Sequence, residues 1–576
     1  MIRLATVFSG IGAIEHALER MNIDTEIVFA CDNGDVDVLS KKIDIDMDQI
    51  STELKSLKGY IDEIEFSDDD DYENQLIDMF NSAEKEYVNV KDSLDSVNID
   101  NYENLVITVL NTILAMEDLS KNRIKIFNGF KDALNEKPSL TQKKLFLYRI
   151  ILKIINDFKR DNSLDNLGND DFEFQSSINV DWDVINKPLK TLYDQMELDE
   201  GRKLIRNVQN LSQRVGQLYA KINSLHHLNE LKKIDSYSEK KEYVDNLYRD
   251  YESKNKVKIS YMANYDCSEE NFHWDATFLD GTQYKDKVDL FVGGSPCQSF
   301  SLVGKHRGLS DTRGTLFYEY ARLVKEIQPK VFIYENVKAV LSNDCGRTWE
   351  KMKEVFEDLG YNVYYEINGK PSILNARDYG IPQNRERLFV IGFRSDLELE
   401  KDFEFPKSIP LEKKMKDFLI DDAPGKYFLG KKGVEFVNKE KNLKKKFTQI
   451  DGDIALCQKK NQEFNWNGDF VFQSEEDAKN YNIEDFDKYL DAQPVQEILF
   501  DNETKIFSTN NYDNIHSKGR IRKLTPRECL RLMGFADDWK IAVSDTAIYQ
   551  QAGNSIVVNV LIHIIGKIIK SYPNLI

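Results

Sequence analysis

The chain has 576 residues, 41% of them hydrophobic and 11% aromatic, enough for a sizeable core and too apolar for a disordered chain. A net charge of −20 disfavours a nonspecific nucleic-acid binder but leaves room for a locally basic cleft on an acidic body. Six scattered cysteines without a CxxC pair, and seven histidines with one close pair (His226-His227), argue against a zinc site or disulfide framework and for a reducing compartment.

No run of about 18 apolar residues marks a membrane span, and "MIRLATVFSGIG" lacks the apolar core and cleavage site of an export signal. The opening reads as strand ("LATVF"), glycine turn ("SGIGA"), helix ("IEHALERM") and second strand ("TEIVFACD") ending in an acid. That order begins a nucleotide-binding α/β unit. It then stops for about 220 residues, too long for a simple connection. From 39 to 258 the periodicity is helical, as in "LFLYRIILKIINDF". Leu204, Val208, Leu211, Val215, Leu218, Ile222 and Leu225 alternate steps of four and three, a coiled-coil-like seam. "DEIEFSDDDDYE" reads as a solvated loop, and the region carries roughly −10 of the net charge. Strands are then expected at "VDLFVGG", "KVFIYEN", "YNVYYEIN" and "RLFVIGFR", with helices around 316–328 and 347–359, the alternation of a mainly parallel sheet covered by helices. Residues 397–519 are Lys-rich and loop-rich, and the chain closes with "TPRECLRLMGF" and the apolar helix "SIVVNVLIHIIGKIIK".

Within "GGSPCQSFS", Cys297 sits where a strand should turn out of the sheet, the edge at which an α/β fold exposes reactive groups. A lone cysteine is more often a buried structural one. Glu335, in "YENV", ends the next strand, so a nucleophile and an acid could meet in one crevice; alone it would cap a helix or face water. Arg385 and Arg387, two apart at a strand start, should point to one face and suit a carbonyl, carboxylate or phosphate, though such arginines are often just solvated. "FSGIG" lets a ligand approach the backbone at a helix N-terminus, and Asp32 is placed to accept hydrogen bonds from a ribose. Without a "GKS" or "GKT" ending, a P-loop is excluded.

In order, "TVFSGIGAIEHAL", "GGSPCQSFS", "RGTLFYEYARLV", "FIYENVKAV", "LNARDYGIPQNRERLFVIGFR", "RKLTPRECLRLMGF" and "QQAGNSIVVNVL" resemble the DNA cytosine-5 methyltransferases of bacterial restriction-modification systems, over roughly 300 residues. The resemblance implies a Rossmann-like α/β fold that uses S-adenosylmethionine and no metal. It implies five segments: catalytic and cofactor parts at 1–38 and 259–396, an all-helical insertion at 39–258, a smaller target-recognition domain at 397–519, and a return at 520–576. The cysteine matching Cys297 attacks carbon 6 of a flipped-out cytosine, Glu335 matches the group at ring nitrogen 3, and Arg385 and Arg387 match arginines that steady the base and the catalytic loop. "VGKHRGLSDTRGT" matches the mobile loop that closes over the target. For the cofactor, Phe8, Gly10 and Gly12 match the first motif, Asp32 the ribose acid, Asp275 the acid near the adenine amino group, Leu316 an apolar wall, and Asn554 and Ser555 the late "AGNS" motif. Asn33 departs from the family, which often has an aromatic or large apolar residue there against the adenine.

The implied partner is double-stranded DNA, in a bacterial cytoplasm and at the nucleoid, with no membrane. The insertion reads as a structural or self-association module because of its seam, or as a DNA-clamping or regulatory module, its acidity counting against direct contact with the DNA backbone. "GKYFLGKKGVEFVNKEKNLKKKF" offers lysines and aromatics suited to phosphate contact, and a solvated face explains them almost equally well. Methylation of tRNA is the minor alternative, since Lys446 stands where those relatives carry a cysteine before Phe-Thr. A catalytically dead scaffold is disfavoured by intact Pro-Cys, Glu-Asn-Val and Arg-x-Arg sets, and a thiol-disulfide enzyme by the lack of a partner cysteine.

Overall fold

Strand β1 (Ile2–Val7) lies inside an eight-stranded sheet, and its side chains alternate between two buried faces. A computed structural model describes residues 1–63, 70–96, 102–115, 121–136, 139–161, 198–295, 316–421, 423–461, 463, 466–474, 498–501, 506–508 and 518–575. Two units are resolved, one of Met1–Asp37 with Lys233–Ile576, the other of Val38–Lys232.

In the first unit the sheet also contains β2 (Thr25–Cys31), β3 (Phe272–His273), β4 (Leu290–Gly293), β5 (Val331–Val337), β6 (Tyr361–Tyr364), β9 (Ile373–Asn375) and β10 (Glu386–Arg394); β7 (Glu366–Ile367) and β8 (Lys370–Pro371) form a separate hairpin. The order is β3-β2-β1-β4-β5-β10-β6, with β9 beside β10. Neighbours from β3 to β5 are parallel, and the order reverses between β1 and β4, where an α/β fold opens its binding crevice. The expected mainly parallel sheet has one exception: β10 runs against β5, β6 and β9. The chain enters β10 from the turn Ala376–Tyr379 just after β9, with no crossover helix to restore its direction. "YNVYYEIN" is likewise not one strand, because Asn368 and Gly369 take positive φ (51° and 71°) and fold β7 onto β8.

Both faces are apolar, as a helix-covered sheet requires. Leu4, Leu290, Val292, Val331, Ile333, Phe389 and Ile391 join one cluster with Ile14, Tyr261, Leu561, Ile564 and Ile568. The alternate residues Ala5, Phe291, Phe332, Tyr334, Leu388 and Val390 join another with Phe317, Leu323, Trp349 and Phe356. The stretch Asp545–Ser571 is long and apolar enough to cross a membrane by length and composition alone, a test that a core helix of a soluble protein also passes. Its apolarity has a local cause: Ile564, Ile565 and Ile568 are fully buried in the first cluster.

Residues 233–258, read from sequence as part of the insertion, pack with the sheet. Helix Tyr237–Tyr248 brings Tyr237 to Tyr284, with hydroxyls 2.6 Å apart, and Tyr248 onto Trp274. Similarly, Phe403, Phe405 and Met415 belong to the main core although they fall within 397–519. The described residues beyond these build a second sheet from β11 (Thr448–Ile450), β12 (Gly468–Ser474), β13 (Ile498–Asp501), β14 (Ile506–Ser508) and β15 (Lys518–Lys523), in the order β11-β12-β15-β13-β14, its last strand running past the expected boundary at 519. Arg522 on β15 is buried against Glu528 of the "TPRE" helix through two bonds of 2.8 and 2.9 Å, anchoring this sheet to the core.

The second unit is helical among its described residues, with helices Met47–Glu63, Asp70–Asp95, Tyr102–Leu114, Lys121–Asn135, Leu140–Asp161 and Leu198–Lys232. Its core takes in the whole seam, from Leu204 to Leu225, together with Ile50, Leu57, Leu76, Phe80 and Ile151. The 4-3 spacing thus serves the unit's own interior, which removes the seam as ground for self-association.

Candidate active site

At the carboxyl end of β4, two glycines admit the neighbouring strands. A Cβ on Gly293 would lie 2.8 Å from the Val7 carbonyl oxygen, and one on Gly294 the same distance from that of Glu335. Ser295 is then pinned from β5: its Oγ lies 2.6 Å from the Tyr334 hydroxyl, and its carbonyl accepts from Asn336 Nδ2 at 3.1 Å. The same amide donates to Tyr334 Oη at 2.7 Å. Pro296, Cys297 and the loop through "VGKHRGLSDTRGT" lie outside the described residues.

Parallel register sets Gly293 beside Tyr334, so Glu335 stands at the same sheet edge as Gly294 and Ser295. Its Oε1 meets Arg387 Nε at 3.0 Å, both side chains being largely buried (13% and 15% exposed). Burial raises the Glu335 pKa, while the positive charges of Arg387 and Arg385 oppose that rise. The two arginines, expected to share one target, are spent differently. Arg385 precedes β10 and is sealed in the interior, where it donates to the carbonyls of Gln458 (3.0 Å), Gly553 (3.0 Å) and Ser555 (2.7 Å). It clasps the loop at 457–458 to the "AGNS" turn, and desolvation lowers its pKa to about 10.

On the other side of the crevice, β1 is followed by Phe8 at φ 53°, then Gly10 (55°) and Gly12 (76°). A Cβ on Gly10 would meet nothing closer than 4.0 Å, so bare backbone is open to a ligand there, whereas at Gly12 it would strike the Tyr265 ring at 2.1 Å. Asp32, just past β2, accepts from Gly10 N (2.9 Å) and Gly34 N (2.8 Å). Its pKa is raised by burial and pulled back by those two amides. The Asn33 side chain is taken up by a local turn, accepting from Asp35 N at 3.1 Å. Asp275 follows β3 and accepts from Thr277 N and from the Tyr248 hydroxyl, each at 2.9 Å. Leu316 opens the helix Leu316–Ile327; Asn554 is exposed and Ser555 buried. Two carboxylates beside an open glycine backbone suit a nucleoside with a ribose diol and an amino group, so the donor set fits S-adenosylmethionine. Among the described residues no group of three or more His, Cys, Asp or Glu is placed to hold a metal ion.

Sequence reasoning missed Asn336 and Tyr334 as anchors of Ser295, and Tyr248 and Asn255 as supports of the two acids. Asn336 carried a signal, as the middle residue of "ENV"; Tyr248 and Asn255 carried none.

Comparison with known proteins shows the family of the chain. The model of the family C-5 cytosine-specific DNA methylase matches residues 218–570. The type II methyltransferase M.HhaI of Haemophilus parahaemolyticus is 35% identical over 290 residues, 50% of this chain and 78% of that protein. M.HpaII of Haemophilus parainfluenzae is 33% identical over 302 residues (50% and 74%), and the orphan methyltransferase M.SPRI of Bacillus phage SPR 29% over 405 (55% and 90%). Among solved structures, S. pombe Dnmt2 methyltransferase aligns with 55% of this chain and 87% of its own, at 17% identity and a TM-score of 0.36. The chain belongs to the C-5 cytosine-specific DNA methylases, enzymes that transfer a methyl group from S-adenosylmethionine to carbon 5 of cytosine in DNA.

Proposed function

We propose that Cys297 is the nucleophile, Glu335 the group at ring nitrogen 3, and Arg387 the residue that steadies Glu335 and the base. The observation that carries this reading is the Glu335–Arg387 pair at the strand edge beside the pinned Ser295, two residues before Cys297. The thiolate forms a bond to carbon 6, and the electron pair of the C5=C6 bond moves to carbon 5. Glu335 favours that addition by a hydrogen bond to nitrogen 3 from its protonated form, the form that burial favours and the arginine charges oppose. S-adenosylmethionine supplies the methyl group that carbon 5 takes up. Loss of the carbon 5 proton to a base then lets the sulfur–carbon 6 bond break, restoring the thiolate. The stacked face of a duplex base is closed to such attack, so the cytosine must swing out first.

Phe8, Gly10, Gly12, Asp32, Asn33, Asp275, Leu316, Asn554 and Ser555 would surround the cofactor. Arg385 would act from the interior, by holding the 457–458 loop. The sheet of β11 to β15 and its lysine-rich approach would read one short DNA sequence, as part of restriction-modification or epigenetic marking at the nucleoid of a bacterial cytoplasm. A partner of the helical unit, or a second copy of the chain, would have to use its outer surface, since the seam faces inward; light scattering of the purified protein reads this directly.

The test is transfer of labelled methyl groups from S-adenosylmethionine to unmethylated genomic DNA, with Cys297→Ala in parallel and bisulfite sequencing of the product. Label on cytosine carbon 5 in one short motif, lost with Cys297, is the expected result. Transfer that survives Cys297→Ala would remove the assigned nucleophile, and label on tRNA in place of DNA would overturn the substrate.

A further inference from the structure

The acid that this reading sets against the adenine is itself held by a residue outside the motifs. Tyr248, at the end of helix Tyr237–Tyr248, is almost wholly buried and lies flat on Trp274, the rings 4.8 Å apart and 9° from parallel. Its hydroxyl donates to Asp275 Oδ2 at 2.9 Å, while Thr277 N donates to Oδ1 at 2.9 Å. One donor on each oxygen fixes the plane of the carboxylate, and each oxygen keeps acceptor capacity for a ligand. Without the hydroxyl, Asp275 would be tied by one oxygen only, about a side-chain torsion that is broad by nature.

Further along, Asn255 treats the ribose acid's turn in the same way. It is fully buried, donates from Nδ2 to the Asp32 carbonyl at 2.9 Å and accepts from Lys258 N at 2.8 Å. A Cβ on Gly34 would fall 2.2 Å from its Oδ1. Both residues belong to the segment 233–258, by which the chain returns to the sheet after the helical unit. Asn33, its amide spent on the turn, gives the adenine no ring to stack on. Recognition of the base therefore leans on the hydrogen bond to Asp275.

We propose that Tyr248 is a positioning residue for the cofactor, fixing the Asp275 carboxylate in the orientation that accepts a hydrogen bond from the adenine amino group. The inference rests on the reading of Asp275 as the adenine acid, and one experiment separates the two. The full chain, Tyr248→Phe and Asp275→Asn are titrated calorimetrically with S-adenosylhomocysteine and with its inosine counterpart, in which an oxo group replaces the amino group. The unaltered protein should prefer the adenine compound. Tyr248→Phe, which keeps the ring on Trp274, should cut that preference about five- to tenfold, and Asp275→Asn should abolish it. A preference lost in Asp275→Asn but unchanged in Tyr248→Phe overturns the role of Tyr248 and leaves the acid in place. A preference unchanged in Asp275→Asn overturns the adenine acid and the inference together. If Tyr248→Phe does not fold, 3-fluorotyrosine at position 248 keeps the shape and strengthens the donor. The same ratio then moves if the hydroxyl acts, and a ratio that stays put overturns the proposal.

Discussion

Glu15, three residues past Gly12, offers a sharp test of the electrostatics behind the cofactor loop. It is 3% exposed; its Oε1 accepts from the Tyr261 hydroxyl at 2.6 Å and from Thr6 Oγ1 at 3.3 Å, and its Oε2 has no partner among the described residues. Burial pushes its pKa from the ordinary 4.5 to about 7, and the hydrogen bonds only partly oppose that rise. Because the folded value lies above the unfolded one, the protonated group's contribution is complete below pH 4.5 and is lost as pH rises through 7. At 1.36 kcal/mol per pH unit, the gap between 4.5 and about 7 makes the full loss about 3 kcal/mol. Glu15→Gln carries no titrating proton and should lack this fall. Urea unfolding followed by tryptophan fluorescence, at steps from pH 5 to 8.5, would show the unaltered protein losing about 2–3 kcal/mol more than the variant. The comparison uses the slope, because an amide nitrogen placed at Oε2 would itself lack an acceptor and lower the variant at every pH. Parallel pH dependences would refute the reasoning.

Arg522→Met should lower stability by about 3–5 kcal/mol, since it leaves Glu528 charged and buried, and adding Glu528→Gln should recover part of the loss in thermal unfolding. Gly294→Ala places a methyl group 2.8 Å from the Glu335 carbonyl, so single-turnover methyl transfer should fall by at least tenfold while S-adenosylhomocysteine affinity changes little. Arg385→Lys cannot serve three carbonyls with one ammonium, and should cost about 2–4 kcal/mol of stability along with activity. Arg387→Lys should instead leave the melting temperature nearly unchanged and reduce the methylation rate.

The strands were legible because both faces of the sheet are covered, so the stretches "LFV" at 290–292 and "VFIY" at 331–334 run without a charged residue and leave little room for another assignment. The strand-end place of Glu335 and the glycines before Cys297 were legible for a related reason: neighbouring strands that approach this closely impose small residues. Where sequence reasoning went astray, partners distant in the chain decided the outcome. A two-residue spacing says that Arg385 and Arg387 share a side only if both lie in the strand, and β10 begins between them, at Glu386. A heptad-like seam records that a helix packs against something, and here the something lies within the same unit. Tyr248 left no trace, since a tyrosine in a helical pattern looks the same whether it fills a core or holds a carboxylate.

The placement of β1 has a consequence for how the chain is made. Of its two neighbours in the sheet, β2 follows within the first 31 residues, but β4 starts only at Leu290. At 5–20 residues per second, a ribosome needs about 15–60 s to travel between them. Throughout that interval the apolar edge of β1 stands bare, an open template for pairing with any other extended chain. The helices of 38–232 emerge during the wait, and as a compact unit of their own they can pack before the sheet closes. Slow synthesis or low temperature would lengthen the exposure, so the yield of soluble protein should depend on chaperones that shield β1 more than on anything in the helical unit.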